Sequence, residues 1–272
     1  MSLVSTTWLE KNLDRVKILD STWHMPNTHR NAFKEYKKEH IKNSIFFDID
    51  EFSNKETDLP HMLPSEERWS EIVSNLGISN KDRVIIYDNS DVISSCRCWY
   101  TFIFFGHKPN LVSILNGGLS KWNKEKRETT NETSINTKKS YKAKKISNLV
   151  KSKNEIDENI LNKRYKVIDA RNKRRFLGLE KEPRANLRSG SIENSQCLPF
   201  NELIDSKNKT FIKKKLIKEK FKKMGIDKEI NVVFSCGSGI TAAVLALAYS
   251  LINDKYLPTV YDGSWAEYGK IK

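Results

Sequence analysis

The chain has 272 residues, and its 38% hydrophobic and 10% aromatic content can fill the core of one large domain or two ordinary ones. Its longest apolar run, residues 240–252, is shorter than the ~20 residues that cross a bilayer. The first ten residues lack the basic and apolar segments of a secretory signal. We therefore expect a soluble protein that makes no membrane contact, located in the cytoplasm, with mitochondria as the alternative.

The net charge of +14 is concentrated in residues 138–272, which carry 30 Lys and Arg against 15 Asp and Glu. Many of these lysines fall in residues 211–224, where the apolar spacing predicts one amphipathic helix. Its predicted buried stripe is Phe211, Ile212, Leu216, Ile217, Phe221 and Met224. Aromatic residues are not interleaved with the lysines as a base-stacking surface requires, so the pattern favours a solvated lysine face over nucleic-acid binding.

In the first half, short β-branched runs at residues 16–21 and 84–88 predict buried strands, and residues 64–76 predict a helix. Cys96 and Cys98 follow in an apolar stretch that indicates core packing rather than a redox switch. The four cysteines of the chain form no C-x-x-C pair and no disulfide framework. We expect no metal site and a reducing compartment.

In the second half, residues 165–170 and 232–235 predict strands, and residues 242–252 predict an Ala- and Leu-rich helix. Between the last strand and that helix lies Cys236, followed by Gly237, Ser238, Gly239, Ile240 and Thr241. The glycines allow a tight loop, and main-chain amides at a helix start favour a thiolate. A buried structural cysteine is the alternative, but the strand-to-helix position favours a nucleophile.

Landmarks of the first half recur in the second. Residues 16–21 match residues 165–170 at a distance of 149, residues 84–88 match 232–236 at 148, and residues 115–119 match 260–264 at 145. This pattern predicts an α/β fold made of a tandem duplication, each copy a mainly parallel sheet flanked by helices. We expect domains over residues 1–130 and 146–272, joined by a polar linker over 131–145. Asp88 matches Cys236, so only the second copy can perform thiol chemistry.

The loop C-G-S-G-I-T-A in the second copy of a duplicated α/β module resembles the two-domain sulfurtransferases of the rhodanese family, in particular those acting on 3-mercaptopyruvate. Other motifs of the resemblance span almost the whole chain: F-F-D-I-D at 46–50, H-M-L-P at 61–64, N-G-G-L at 116–119, E-P-R at 182–184 and Y-D-G-S-W at 261–265. Relatives specific for thiosulfate carry basic residues after the cysteine, whereas Gly237 and Ser238 are neutral.

The resemblance implies a sulfur carrier at Cys236, a substrate clamp of Arg175 and Arg184, and a proton-handling triad of Asp50, His61 and Ser238. The first copy would contribute Asp50 and His61, while Gly237, Gly239, Ile240 and Thr241 would cradle the substrate. No cofactor is implied. The implied products are pyruvate and, by way of a persulfide, hydrogen sulfide or thiocyanate, with thioredoxin, a small dithiol or cyanide as sulfur acceptor.

Three other functions compete with this one. A cysteine phosphatase needs an arginine six residues after its cysteine, and Ala242 stands there. Thiosulfate as the preferred donor is disfavoured by the neutral loop, and an inactive binding module is disfavoured by the retained site residues.

The chain also departs from the family at one motif. The family's His-Ile-Pro-Gly turn has lost its proline and glycine in both copies, ending instead at Asn43 and Asn194.

Overall fold

The computed structural model describes residues 2–134, 136–227, 230–254 and 256–271. The chain divides into two compact units. Unit 1 comprises Met1–Asn54, Pro64–Ile146 and Ser206–Thr210, and unit 2 comprises Lys55–Leu63, Ser147–Asp205 and Phe211–Lys272. The short segment Lys55–Leu63, which contains His61, therefore groups with the half of the chain that carries Cys236.

Unit 1 contains five strands in its described residues: β1 (Leu3–Val4), β2 (Lys17–Asp20), β3 (Ser44–Phe46), β4 (Val84–Tyr87) and β5 (Val112–Leu115). Its helices are α1 (Thr6–Glu10), α2 (Ala32–Lys38), α3 (Glu66–Asn75), α4 (Ser95–Phe104) and α5 (Gly118–Lys124). The strands form one parallel sheet in the order β1-β5-β4-β2-β3. Central strands β4 and β5 are buried throughout, as expected for a parallel sheet covered on both faces.

Unit 2 repeats this arrangement. Its described strands are β6 (Val150–Lys151), β7 (Lys166–Asp169), β8 (Gln196–Cys197), β9 (Val232–Ser235) and β10 (Val260–Tyr261). The helices are α6 (Lys153–Asn162), α7 (Lys173–Phe176), α8 (Lys214–Lys223), α9 (Ile240–Ser250) and α10 (Ser264–Tyr268). The parallel strand order β6-β10-β9-β7-β8 corresponds strand by strand to that of unit 1, which confirms the predicted duplicated α/β fold.

Strand register corrects one of the predicted offsets. Ile86 pairs with Ile114 in unit 1 and Phe234 pairs with Val260 in unit 2, so the last landmark recurs after 146 residues, not 145. The offset between the two copies falls from 148 to 146 residues within the loop after the central strand. Four residues separate Asp88 from Ile93 and two separate Cys236 from Gly239, and both end residues adopt positive φ. The corrected register matches Gly118 to Ser264.

The helices differ from prediction mainly at their ends. Helix α3 begins at Glu66 because the side chain of Ser65 accepts the amide of Arg68 and caps it. Helix α9 begins at Ile240, two residues before the predicted start. Helix α8 is shorter than predicted, and Leu216 is 45% exposed, so its assignment to the buried stripe was wrong. Ile217 and Phe221 alone are buried on this helix.

The segment predicted as a linker is part of unit 1. The amides of Lys139 and Tyr141 bond to the carbonyl and hydroxyl oxygens of Ser74, and the amide of Ala143 bonds to the hydroxyl of Ser70. Tyr141 and Ala143 are themselves buried. These main-chain bonds to α3 explain why a polar stretch without its own secondary structure has a defined path; residue 135 lies outside the described residues.

Both copies form a hydrogen-bonded turn at the motif that lacks the proline and glycine of the family. Asn43 and Asn194 adopt φ of 65° and 59°, the left-handed region that asparagine tolerates best after glycine. In both copies an i→i+3 bond closes the turn, from the amide of Ser44 to the carbonyl of Ile41 and from that of Ser195 to Ile192. Asparagine thus supplies a positive φ at this turn without glycine.

A buried aspartate ends the equivalent strands β2 and β7, with different partners. Asp20 in unit 1 accepts bonds from the amide and hydroxyl of Thr22, whereas Asp169 in unit 2 pairs with the guanidinium of Arg171. Without a cation, burial raises the pKa of Asp20 to about 6.

This environment predicts a pH-dependent stability of unit 1. The pKa of Asp20 is higher when folded than the ordinary value of 3.8, so the folded state favours the protonated carboxyl. Its contribution is fully present below pH 4 and is lost as pH rises through about 6. An asparagine side chain at this position stays neutral, so Asp20→Asn should stabilise unit 1 at pH 7 by about 3 kcal/mol and remove this loss.

Calorimetric Tm values measured from pH 4 to 7 would check this expectation, with exposed Asp14→Asn as the control. The idea fails if the difference in Tm between Asp20→Asn and wild type is the same at pH 4 and pH 7.

Candidate functional site

Cys236 lies directly after β9 and before α9, whose N-cap residue Gly239 has a φ of 82°. The residue is 2% exposed. Its amide donates to Oγ of Ser264 at 3.1 Å, and its carbonyl accepts the amide of Trp265 at 2.9 Å. Both main-chain groups of Cys236 are therefore fixed from the start of α10, which gives the cysteine a defined backbone position.

Ser264 has an uncommon backbone for a residue with a side chain, with φ of 49°. Its counterpart in unit 1 is Gly118, with φ of 54°. The Ser264 hydroxyl accepts from Cys236 and donates to the carbonyl of Tyr261 at 2.8 Å. The second copy thus accepts left-handed strain, of order 1–2 kcal/mol, at the position where it gains a hydroxyl bound to Cys236.

Arg175 and Arg184 both approach the main chain of Gly237. A Cβ atom on Gly237 would lie 3.5 Å from Nη2 of Arg175 and 3.6 Å from Nη1 of Arg184. A longer side chain here would extend into the space beside the two guanidinium groups. Glycine next to the cysteine therefore keeps open a region lined by two cations, which suits a small anion.

Ser238 joins two other predicted site residues. Nη2 of Arg184 donates to its Oγ at 3.1 Å, and Nδ1 of His61 lies 2.9 Å from the same oxygen. Ser238 and His61 are both buried. Because a hydroxyl that accepts from an arginine still has its own proton, Ser238 can donate to a neutral His61 Nδ1. This is a route by which a proton could move between the loop and the imidazole.

The segment that carries His61 is attached to the end of β10. The amide of Leu63 donates to Oδ2 of Asp262 at 2.9 Å, and Asp262 is buried. His61 itself has a φ of 61°, a conformation that is uncommon outside glycine and asparagine. His61 lies in the first copy by its place in the sequence, and its segment groups with unit 2 by contacts.

Asp50 lies in unit 1, where its Oδ2 accepts the indole N–H of Trp23 at 2.9 Å. The expected pairing of Asp50 with His61 stays a prediction. Gly239, Ile240 and Thr241 form the cap and first residues of α9, so their amides lie at the positive end of that helix.

A charged network that sequence reasoning did not assign to the site holds Arg175. Glu182 bonds to Arg175 at 2.5 Å and to Arg171 at 2.7 Å, and Arg171 pairs with Asp169. The guanidinium of Arg171 also lies over the ring of Trp265, 4.4 Å from its centroid. In the sequence, Glu182 is recognisable only as part of the E-P-R motif at 182–184. No local pattern predicts its contacts with Arg171 and Arg175.

The other cysteines have environments that disfavour nucleophilic chemistry. Burial raises the pKa of Cys96 and Cys98 well above the ordinary value and that of Cys197 to about 12. Cys96 and Cys98 are completely buried on α4, all ten residues of which are buried. The interpretation of this pair as core packing agrees with their positions.

Among the residues described by the structure, no group of three or more His, Cys, Asp or Glu side chains could hold a metal ion. In the same residues, every helix is too short or too polar to span a lipid bilayer.

Comparison with protein families identifies the family to which this fold belongs. The model of the rhodanese-like domain matches the chain twice, over residues 5–125 and 152–270. The chain therefore belongs to the rhodanese-like family, and it carries that domain in tandem. The resemblance predicted from its sequence motifs is confirmed at this level.

Named relatives match along nearly the full chain. The mitochondrial thiosulfate/3-mercaptopyruvate sulfurtransferase 1 of Arabidopsis thaliana is 36% identical over 98% of this chain and 75% of its own length. Human 3-mercaptopyruvate sulfurtransferase is 32% identical over 98% of this chain and 91% of its own. Rat thiosulfate sulfurtransferase is 36% identical with the same coverages, 98% and 91%.

A solved structure is also similar to this chain along nearly its whole length. The crystal structure of SseA from Escherichia coli, described as a 3-mercaptopyruvate sulfotransferase, superposes with a TM-score of 0.85 at 28% identity. The match covers 97% of this chain and 99% of that one.

The bond from Cys236 to Ser264 predicts the effect of two substitutions. Ser264→Ala removes the acceptor of a buried amide and keeps the strained φ, so it should destabilise unit 2 by about 2–3 kcal/mol. Ser264→Gly removes the same acceptor but relieves the backbone strain. It should therefore destabilise unit 2 by about 1 kcal/mol less than Ser264→Ala does. Chemical denaturation would measure both, with Ser250→Ala, which breaks only a local helix bond, as the control. Equal losses for the two Ser264 variants would contradict the strain assignment.

Proposed function

We propose that the protein is a sulfurtransferase that takes the sulfur of 3-mercaptopyruvate on Cys236 and passes it to a thiol acceptor. The observation that carries the proposal is the meeting, at the cysteine loop, of two guanidinium groups beside Gly237 and a His61–Ser238 hydrogen bond. Sulfurtransferases named among the relatives, at 32–36% identity, support the same reaction class.

In the first half-reaction the Cys236 thiolate attacks the sulfur of 3-mercaptopyruvate. A sulfur–sulfur bond forms, the carbon–sulfur bond breaks, and its electron pair goes to the carbon as the enolate of pyruvate. One proton converts this enolate into pyruvate, and the enzyme keeps a Cys236 persulfide. Neither a metal nor an organic cofactor takes part, because the electron pair needs no acceptor beyond the keto group of the substrate.

Arg175 and Arg184 are proposed to hold the carboxylate and keto oxygens of the donor. Both groups lie beside Gly237, one residue from the nucleophile, so an anion bound there would have its reacting atom near the sulfur. Paired N–H donors of a guanidinium suit the two oxygens of a carboxylate. The amides of Gly239, Ile240 and Thr241, at the start of α9, would stabilise the anionic persulfide.

Ser238 and His61 are proposed to supply the proton that the enolate needs, with Asp50 fixing the imidazole. The 2.9 Å separation of His61 Nδ1 and Ser238 Oγ permits direct transfer between them. Arg184, which donates to the same hydroxyl, would couple substrate binding to this proton route.

Thiosulfate is the second candidate donor, since rat thiosulfate sulfurtransferase is as similar as the dual-named plant relative. Thiosulfate is disfavoured because Gly237 and Ser238 are neutral and add no positive charge that would bind a dianion. An inactive binding module is disfavoured because Cys236 and both arginines are retained in contact with one loop.

For the second half-reaction we propose reduced thioredoxin or a small dithiol as acceptor, which takes the outer sulfur of the persulfide and releases hydrogen sulfide. Cyanide would take the same sulfur as thiocyanate. A cytoplasmic location fits these reductants, and a mitochondrial one is the alternative, as in the Arabidopsis relative.

Replacement of the nucleophile tests the persulfide. Cys236→Ser should abolish pyruvate release while the protein stays folded, because a hydroxyl cannot carry the sulfur. Cys197→Ser, at a half-buried thiol of the same unit, should keep nearly full activity. Mass spectrometry after donor treatment should show one added sulfur atom on wild type and none on Cys236→Ser. Continued pyruvate release by Cys236→Ser would contradict the assignment.

A comparison of donors tests the substrate. On one preparation with cyanide as acceptor, kcat/KM for pyruvate release from 3-mercaptopyruvate should exceed that for thiocyanate formation from thiosulfate. A higher value for thiosulfate would replace the first candidate by the second, and no turnover with either would favour the binding module.

A further inference from the structure

Arg175 belongs to a mostly buried network of ion pairs that also contains Asp169, Arg171 and Glu182. Arg171 donates to both carboxylate oxygens of Asp169, through Nε at 2.9 and 3.2 Å and Nη2 at 2.8 Å, and to the carbonyl of Gly190. Its Nη1 reaches Glu182 at 2.7 Å. The side chains of Arg171 and Glu182 are each 1% exposed, whereas that of Arg175 is 13% exposed. The network therefore ends at Arg175, its most accessible member.

Glu182 occupies one particular edge of the Arg175 guanidinium. Nε lies 3.3 Å from Oε1 and Nη2 lies 2.5 Å from Oε2, so the carboxylate covers the Nε–Nη2 edge. Within the described parts of the chain, Nη1 of Arg175 forms no hydrogen bond. The Nη1–Nη2 edge is the fork that can bind a second carboxylate, and Nη2 is the atom nearest to Gly237.

The network is specific to the copy that carries the cysteine. The position equivalent to Arg171 in unit 1 is Thr22, which bonds to Asp20 without an ion pair. Buried ion pairs add little net stability, since desolvation offsets their attraction. A structural need common to both copies would place the same residues in both, so the difference points to a role in the site.

We propose that Glu182 is a positioning residue that also sets the charge preference of the site. It holds Arg175 with one edge turned away from the network, and its negative charge offsets one of the cations beside Gly237. The site therefore favours a donor with a single carboxylate over the dianion thiosulfate. This inference rests on the proposed function and names the residue that selects between its two donors.

Replacement of Glu182 by glutamine tests the charge. Glu182→Gln keeps the shape and leaves Arg175 uncompensated, so attraction for the dianion should rise more than that for the monoanion at pH 7. We expect the ratio of kcat/KM for thiosulfate to kcat/KM for 3-mercaptopyruvate to increase by roughly tenfold, with a steeper dependence on ionic strength. In a ping-pong reaction each kcat/KM is independent of the acceptor, and the ratio is independent of the folded fraction.

Glu180→Gln is the matched control, since it makes the same change in net charge two residues away. The side chain of Glu180 is 44% exposed and lies 3.8 Å from that of the exposed Arg174, so the donor ratio should stay unchanged. An equal shift in both variants would show a general charge effect and overturn the proposal.

Glu182→Asp tests whether Glu182 positions Arg175. This variant also provides a test if Glu182→Gln does not fold. It keeps the charge but shortens the side chain by one methylene, so KM should rise about tenfold for both donors and the ratio of their kcat/KM values should stay within twofold of wild type. An unchanged KM would overturn the positioning role. Wild type must turn over at least one donor; if it turns over neither, the proposed function itself fails, whereas an active wild type with an unshifted Glu182→Gln ratio refutes this inference alone.

Discussion

The parallel pairing of β9 between β7 and β10 is the constraint on which the site depends. Because all three strands run in one direction, their carboxyl ends meet at one edge of the sheet, and Asp169, Cys236 and Asp262 follow or end them there. Each then organises a different part of the site: Asp169 binds Arg171, Cys236 begins the loop, and Asp262 holds the His61 segment. A shift of one residue in β9 would move Cys236 away from the bond to Ser264 and reverse the side chains of the strand.

Unit 1 shows the same framework without a cysteine at the end of its central strand. At the position of Cys236 it has Asp88, whose carboxylate accepts the amide and hydroxyl of Ser90. The loop is longer, and Ile93 takes the positive φ that Gly239 takes in unit 2. Both loops accept an amide from the helix after the next strand, that of Leu119 at Asp88 and that of Trp265 at Cys236. Unit 1 adds the internal bonds of the Asp88 carboxylate, whereas unit 2 adds the bond from the Cys236 amide to Ser264. In unit 2, Gly237 leaves one side of the cysteine loop open to the two arginines.

The sequence was sufficient for the fold because its signals are local and repeated. β-Branched runs predicted β2, β4, β7 and β9, and their recurrence predicted the duplication. The offset of the last landmark was wrong by one residue because a loop insertion is invisible until register is known. Leu216 was misplaced because a spacing rule cannot tell which part of a wide apolar face meets the core. The grouping of His61 with unit 2 depends on contacts between segments distant in sequence.

The site was predicted in its parts rather than in its assembly. The family resemblance predicted Cys236, Arg175, Arg184, Asp50, His61 and Ser238 as site residues. The hydrogen bonds that join His61 and Arg184 to Ser238 link residues up to 177 positions apart. The supporting residues escaped prediction for a physical reason. Asp169, Arg171 and Glu182 are charged side chains in a basic segment, where sequence alone favours solvent exposure. Asp169 meets Arg171 only at the sheet edge where β7 ends, and the buried Arg171 bonds there to Glu182 as a second carboxylate. Each buried charge of this network thus has an opposite charge beside it, and the series ends at Arg175, next to Gly237 of the cysteine loop.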